Sequence, residues 1–158
     1  MLRISKIVDY GTLVLTHMAG YPDRVFSATD LAASLGLGRP TVSKVLKALG
    51  RHNLVQSTRG AQGGYALSRP ADQISVAQII DALEEQPFGL TECTSTPGVC
   101  GFESACQIRV NWQRINAVVR RTLEDVSVAD MVLPAPVVLV SHVQPISKSA
   151  SRAKTVVL

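Results

Sequence analysis

The chain contains three cysteines, Cys93, Cys100 and Cys106, which all fall within fourteen consecutive positions. Six residues separate the first pair and five separate the second, and the segment between them contains proline and glycine. Thiolates are soft, anionic ligands that suit iron-sulfur clusters and zinc. Because these spacings are wider than the two-residue pairs of many zinc sites, the pattern favours a loop around a 2Fe-2S or 4Fe-4S cluster, with zinc as the alternative.

The cysteines also permit a second kind of chemistry, in which exposed thiolates oxidise reversibly without any metal. An odd number of cysteines argues against a disulfide framework and for thiolates used as ligands or left as free thiols. Iron-sulfur sites usually have four protein ligands, and three thiols are available here. Glu92 and Glu103 are local candidates for the missing ligand.

The positive charge is concentrated in one segment. The chain has a formal net charge of +4 and a pI near 9.2, but no acidic residue lies between Asp30 and Asp72. That interval carries six cations, which are Arg39, Lys44, Lys47, Arg51, Arg59 and Arg69. One uniformly basic segment in a nearly balanced chain predicts a surface for a polyanion, and nucleic acid is the natural partner.

Three helices are predicted before residue 52. Ser5 is placed to cap the first, Ser27 with Asp30 resembles a capping box at the start of the second, and Pro40 lies early in the third. The third helix has an apolar stripe of Val42, Val45, Leu46 and Leu49. At about 100° per residue, the opposite side is cationic and polar, as expected of a DNA recognition helix. Its candidate DNA contacts are Lys44, Lys47 and Arg51 for phosphates and Thr41 and Ser43 for base edges, and Arg39 is a further DNA-binding candidate.

The segment from Leu54 to Leu67 predicts two short strands around a glycine turn, which is the wing of a winged helix. Arg59 at its tip is a candidate for insertion into a narrow minor groove. The glycines do not form a phosphate loop, because no Lys-Ser/Thr follows and the next element is a strand. Another helix, beginning near Val76, should close the winged core.

A long apolar pattern follows the cysteines, with steps of three and four that approximate a heptad seam and require a partner helix. It runs through Ile108, Trp112, Ile115, Val119, Leu123 and Val126. The predicted fold is therefore mainly α with a small β wing, a winged helix-turn-helix domain followed by a long C-terminal dimerisation helix. The predicted divisions are a DNA-binding domain at 1–86, a cysteine loop at 87–107, a dimerisation helix at 104–130 and a flexible tail at 131–158.

Several function classes are disfavoured. The three histidines are scattered, and the carboxylates near Asp81 have no aligned nucleophile or base, so an enzyme is not expected. No secretory signal is recognised, and the late apolar run from Met131 to Val140 is interrupted by prolines and is too short to span a bilayer. We therefore expect a cytoplasmic protein with no membrane partner.

A family resemblance rests on three features. They are Asp9-Tyr10 in the first helix, the wing with Arg59-Gly60 and Gly63-Gly64-Tyr65, and the late three-cysteine loop before a long helix. Over roughly residues 1 to 130 the chain resembles the bacterial winged-helix iron-sulfur regulators, which include IscR, NsrR and, closest in overall character, the Suf-system cluster-assembly regulators.

The resemblance implies a homodimer that binds a palindromic double-stranded operator and holds an iron-sulfur cluster on Cys93, Cys100 and Cys106. In one branch of the family a histidine three positions after the last cysteine is the fourth ligand, and this chain has Arg109 there. In the NsrR-like branch an aspartate from the other subunit completes the site, and that position corresponds to Asp9. The implied function is a redox-sensing regulator of cluster-assembly genes. Alternatives are a zinc- or thiol-based winged-helix regulator and a nitric-oxide- or redox-responsive repressor.

Overall fold

The computed structural model describes residues 3–60, 63–84 and 86–132. Three helices come first, α1 (Lys6–Ala19), α2 (Ala28–Leu35) and α3 (Arg39–Arg51), followed by an antiparallel pair of strands, β1 (Val55–Thr58) and β2 (Gly64–Leu67). A 3₁₀ turn (Ala71–Gln73) leads into α4 (Val76–Leu83). The short helix α5 (Glu92–Ser95), the long helix α6 (Arg109–Asp125) and the short helix α7 (Val128–Val132) complete the described chain. The mainly helical architecture with a two-stranded wing is that of a winged helix.

The helix starts are fixed by local hydrogen bonds. In α1 the hydroxyl of Ser5 accepts from the Val8 N–H at 3.4 Å, as predicted. In α2 the Asp30 N–H donates to Ser27 Oγ at 3.0 Å while the Asp30 carboxylate accepts from the Ser27 N–H, which confirms the capping box. These bonds lower the pKa of Asp30. Each bond satisfies a backbone N–H that the helix itself leaves without an acceptor.

A single apolar core joins the helices and the root of the wing. The apolar stripe predicted for α3 is buried, including Val42 and Leu46, and Val8 and Leu15 of α1 are buried as well, whereas Ile4, which was also expected to face inward, is 52% exposed. Phe26 is fully buried and links the core to the wing, because Phe26 and Tyr65 exchange two backbone hydrogen bonds of 2.9 and 2.8 Å. The wing is thus anchored to the same core that positions α3.

Gly64 is the tightest point of that anchor. A Cβ atom at Gly64 would lie 2.6 Å from the carbonyl oxygen of Phe26, a backbone atom that cannot rotate away. We expect Gly64→Ala to lower the free energy of unfolding by about 1–3 kcal/mol, the usual range for forced overpacking. Urea unfolding at one protein concentration measures it.

Gly101→Ala is the matched control for Gly64→Ala, because a Cβ at Gly101 would meet no heavy atom within 4 Å in the described part of the chain. We expect its urea midpoint to stay at the wild-type value. Equal midpoints for the two alanine variants would contradict the packing argument at Gly64.

The long helix differs from its prediction in extent. It begins at Arg109 and ends at Asp125, whereas the pattern predicted 104–130, because residues 101–105 form turns and Val126 is extended. The chain then returns to the winged core, where Val128 is fully buried and its N–H donates to the Ile74 carbonyl at 2.8 Å. The periodicity of the sequence did not predict that the chain packs against the winged core again after α6.

The division of the chain into domains at residue 86 stays a prediction.

Helix α6 has no buried residue, although it carries several large apolar side chains. Val110 and Val118 are 72% and 61% exposed, and Ile115 is 45% exposed. Of the predicted tail at 131–158, Met131 and Val132 belong to α7, and residues 133–158 lie outside the described residues. None of the described helices is both long and apolar enough to cross a membrane.

Candidate DNA-binding surface and cysteine loop

The basic face of α3 points away from the core. Arg39, Lys44, Lys47 and Arg51 are exposed, while the four apolar side chains on the opposite side of the helix are fully buried. Thr41 and Ser43 are half-buried and lie within the first turns. The structure therefore places the predicted contacts on one accessible helix face, with the hydroxyls near its N-terminal end and the cations along its length.

The start of α3 is suited to an anion. Gly38 is the N-cap, no side chain caps the helix, and there is no acidic residue in the first turn. Unpaired N–H groups at a helix start, together with the positive end of the helix dipole, favour a phosphate group. Among the described residues the ion pairs involve Arg109 and Arg120, so none neutralises the cations of α3.

The wing places Arg59 immediately after β1, where it is exposed. Gly60 has a φ of 123°, and a Cβ at Gly63 would lie 2.5 Å from the Thr58 carbonyl oxygen, so the turn requires both glycines. The sixth cation of the basic segment has a different role. Arg69 donates to the carbonyls of Asn53 and Gln73 and to the Gln78 side chain, at 3.0–3.1 Å, and so ties the base of the wing to α4.

The cysteine loop is a series of turns between α4 and α6. Cys93 lies on α5, is only 8% exposed, and its Sγ is 3.3 Å from the hydroxyl of Thr91. Cys100 and Cys106 are half-buried, and none of the three thiols forms a disulfide. The most buried thiol therefore belongs to the short helix of the loop, and the two later thiols are more accessible.

Glu103 organises the second half of the loop. Its carboxylate accepts from the Gly98 N–H at 2.6 Å and from Arg109 Nη2 at 2.7 Å, and its side chain is only 10% exposed. Nε of Arg109 is buried without a hydrogen-bond partner in the described part of the chain. Glu103 is thus engaged in holding Gly98 against the start of α6, which disfavours it as a metal ligand. Glu92 is exposed on α5.

The predicted cluster ligands agree with an iron-sulfur cluster in chemistry, because three thiolates from one loop are the donors such clusters take. The positions of their side chains, however, do not yet form a metal site. Within residues 3–60, 63–84 and 86–132, no three side chains of histidine, cysteine, aspartate or glutamate are gathered closely enough to hold a metal ion. Asp9 is exposed in the first turn of α1. Its predicted role as a ligand from a second subunit stays a prediction.

The fold and these two surfaces define a winged-helix DNA-binding protein with a cysteine loop beside its last long helix. A family described as "Rrf2: Iron-dependent Transcriptional regulator" matches residues 4–134. The chain therefore belongs to the Rrf2 family, whose members are DNA-binding transcriptional regulators and not enzymes. This confirms the resemblance to IscR-like regulators inferred from the wing and the cysteine loop.

Solved structures support the same assignment. CymR, the global cysteine regulator of B. subtilis, is 27% identical, with a TM-score of 0.64 over 84% of this chain and 97% of that one. IscR of T. potens is 26% identical, with a TM-score of 0.62 over 82% of this chain and 85% of that one. CymR of Staphylococcus aureus is 25% identical, with a TM-score of 0.62 over 84% and 99% of the two chains.

Proposed function

We propose that this Rrf2 regulator senses its signal through an iron-sulfur cluster held by Cys93, Cys100 and Cys106, and that it controls cluster-assembly genes. The observation that carries the proposal is the position of these cysteines. They are the three cysteines of the whole sequence, and their loop joins the winged core to the exposed helix α6. The family's description as iron-dependent and the similarity to an IscR protein support a cluster.

The proposed assembly is a cytoplasmic homodimer on palindromic DNA. The exposed valines and isoleucine of α6 give a second copy an apolar surface, and burying it would stabilise a dimer by about 25 cal/mol per Å². A two-fold dimer presents its two α3 helices about 34 Å apart, one turn of B-DNA. Each α3 then reads one half-site, with Lys44, Lys47 and Arg51 on phosphates and Thr41 and Ser43 at base edges.

In this proposal the cluster, when bound, supplies a redox-active and air-sensitive centre at the junction between loop and helix. The residues that hold the cluster determine which parts of the protein respond to it. The three thiolates fix the loop, and Asp9 of a second copy completes the ligand set. When the cluster is lost, the equilibrium between two conformations of the dimer shifts. The size of that shift is limited by how much more strongly the cluster stabilises one conformation than the other.

The test of the proposed function is an anaerobic visible absorption spectrum before and after air exposure, paired with operator affinity in both states. The operator probe is a duplex selected from a random library with the full-length chain. Broad absorbance between about 320 and 450 nm that bleaches in air, together with a change in affinity, supports the proposal. Equal affinities in the two states would overturn the sensing function and leave the Rrf2 assignment intact.

Asp9 can be tested by the same spectra. We expect Asp9→Ala to load less cluster and to bleach several-fold faster in air, because a three-thiolate site without its fourth ligand is open to solvent and oxidant. Asp23→Ala, which removes another exposed acid, is the matched control. Wild-type cluster content, spectrum and bleaching rate in the Asp9 variant would exclude it as a ligand.

A thiol switch without metal is the second candidate, favoured by the accessibility of Cys100 and Cys106 and by the similarity to CymR proteins. Peroxide would oxidise one thiolate to a sulfenic acid with release of hydroxide. A second thiol would then displace water from the sulfenic acid to form a disulfide. Mass analysis after peroxide distinguishes this candidate, since a disulfide lowers the mass of the chain by two hydrogens.

A further inference from the structure

Helix α6 is anchored firmly at its C-terminal end. The Val76 N–H donates to the Val126 carbonyl at 2.9 Å, and Val128 is fully buried in the winged core. Leu123, two residues before the end of the helix, also packs partly against that core. The rest of the helix has no buried side chain. Its orientation must therefore depend on contacts made further along its length.

The strongest of these contacts is made by Arg120. Its Nη1 and Nη2 donate to the two carboxylate oxygens of Asp81 on α4 at 2.7 and 2.6 Å, and its Nε donates to Glu124 at 2.8 Å. The guanidinium also lies 5.8 Å from the centre of the Phe88 ring. A two-pronged arginine–carboxylate pair fixes both distance and angle, which a single hydrogen bond does not.

The cysteine loop is tied to the same helix at two points. Before the cysteines, the Leu90 N–H donates to Asn116 Oδ1 at 3.0 Å, one turn along α6 from Arg120. After Cys100, Glu103 pairs with Arg109, the first residue of α6. A rearrangement of the loop around its thiols must therefore pull on α6, and α6 meets α4 through the Asp81–Arg120 pair.

Open space beside this pair leaves room for such a movement. A cavity of about 680 Å³ is lined by Asp81, Phe88, Asn116, Arg120 and His52. His52 is the C-cap of α3, and it also lines a second cavity of about 590 Å³ that reaches Lys44 and Arg51. The cavity beside the ion pair and the cavity beside the cationic face of α3 thus share His52 as a lining residue.

We propose that the Asp81–Arg120 pair is a positioning contact that couples the state of the cysteine loop to the operator affinity of the winged core. The proposal rests on the proposed sensing function. The pair holds α6 at one angle to α4, so a displacement of α6 caused by the loop also displaces α4 and the adjoining end of α3. Without the pair, α6 pivots about its anchored C-terminal end, and the displacement does not reach α4.

The test uses Asp81→Asn, which keeps the shape of the side chain but removes its charge and one of its two acceptors. Operator affinity is measured with the library-selected duplex, before and after air exposure of the anaerobically purified full-length chain. We expect the ratio of the two affinities to fall about fivefold, while absorption spectrum and thiol content stay at wild-type values. A purely structural loss would lower both affinities equally and leave the ratio unchanged.

Glu124→Gln is the matched control, because it removes the charge of the other partner of Arg120 and leaves the two-pronged pair intact; it should keep the wild-type ratio. Exchanging the charges in Asp81→Arg with Arg120→Asp should restore most of the ratio. A wild-type ratio in Asp81→Asn overturns the positioning role. A wild-type chain with equal affinities in both states overturns the sensing function and the coupling with it.

Discussion

A chain carrying Cys93→Ser, Cys100→Ser and Cys106→Ser is expected to purify without visible absorbance and to bind its operator with one affinity, before and after air exposure. The physical reason is that this chain has no other thiolate, so neither a cluster nor a thiol switch can form. Anaerobic absorption spectra with iron analysis test the first consequence, and operator titration before and after air exposure tests the second. DNA binding itself should remain, because α3 and the wing do not contain the substituted residues.

Ser104→Ala is the matched control for the serine substitutions, since Ser104 is exposed in the same loop and is not a thiolate ligand. It should retain the spectrum and the response to air. The single cysteine variants then separate the two candidates. A cluster requires all three thiolates, whereas a disulfide requires two, so one dispensable cysteine would favour the thiol switch. An air-dependent operator affinity in the triple variant would exclude the cysteines as the sensor.

The second large effect is expected from Lys44→Ala combined with Lys47→Ala. Both ammonium groups lie on the exposed face of α3, and the proposed dimer would present each of them twice. If they neutralise phosphates, operator affinity should fall on the order of a hundredfold at about 0.15 M salt. The slope of log affinity against log salt should decrease by about one for each phosphate that is no longer neutralised. Fluorescence anisotropy with the selected duplex at several salt concentrations measures both quantities.

Arg121→Ala provides the control for charge alone, because Arg121 is an exposed cation on α6 that lies outside the proposed DNA-binding surface. It should change affinity and salt slope little. A lysine variant with reduced affinity but the wild-type salt slope would contradict phosphate contacts at these positions. Thr41→Ala should behave differently from both, since removing a hydroxyl that reads a base edge weakens binding to the selected duplex more than to a random one.

The predictions that succeeded from sequence depend on interactions between near neighbours. Ser5 and the Ser27–Asp30 box start their helices through hydrogen bonds across three residues, and such bonds are readable from residue types and spacing. The apolar stripe of α3 likewise follows from a period of 3.6 residues. Once that stripe is buried, the cations on the opposite side must face outward, so the exposed cationic face was also predictable.

The cysteine loop was predictable in location and not in arrangement. Residue types and spacing identified the thiols, but the attachment of their loop to α6 depends on long-range contacts such as that of Leu90 with Asn116. The hydrogen-bond partners of Glu103 were unpredictable for the same reason. As an acid between two cysteines it was a reasonable candidate ligand, but its carboxylate is held by Gly98 and Arg109. No helix or strand period predicts a partner in an irregular loop.

Sequence reasoning was enough to predict a mainly helical DNA-binding domain with a glycine-dependent wing, a cationic helix face and a thiol-rich loop. These features follow from capping, periodicity and residue chemistry, all of which act over a few neighbouring residues. The tertiary structure alone decided that Arg69 braces the wing, that Val128 returns to the winged core, and that Arg120 joins α6 to α4. These contacts bring together distant parts of the chain, and only the packing of the core determines which residues meet.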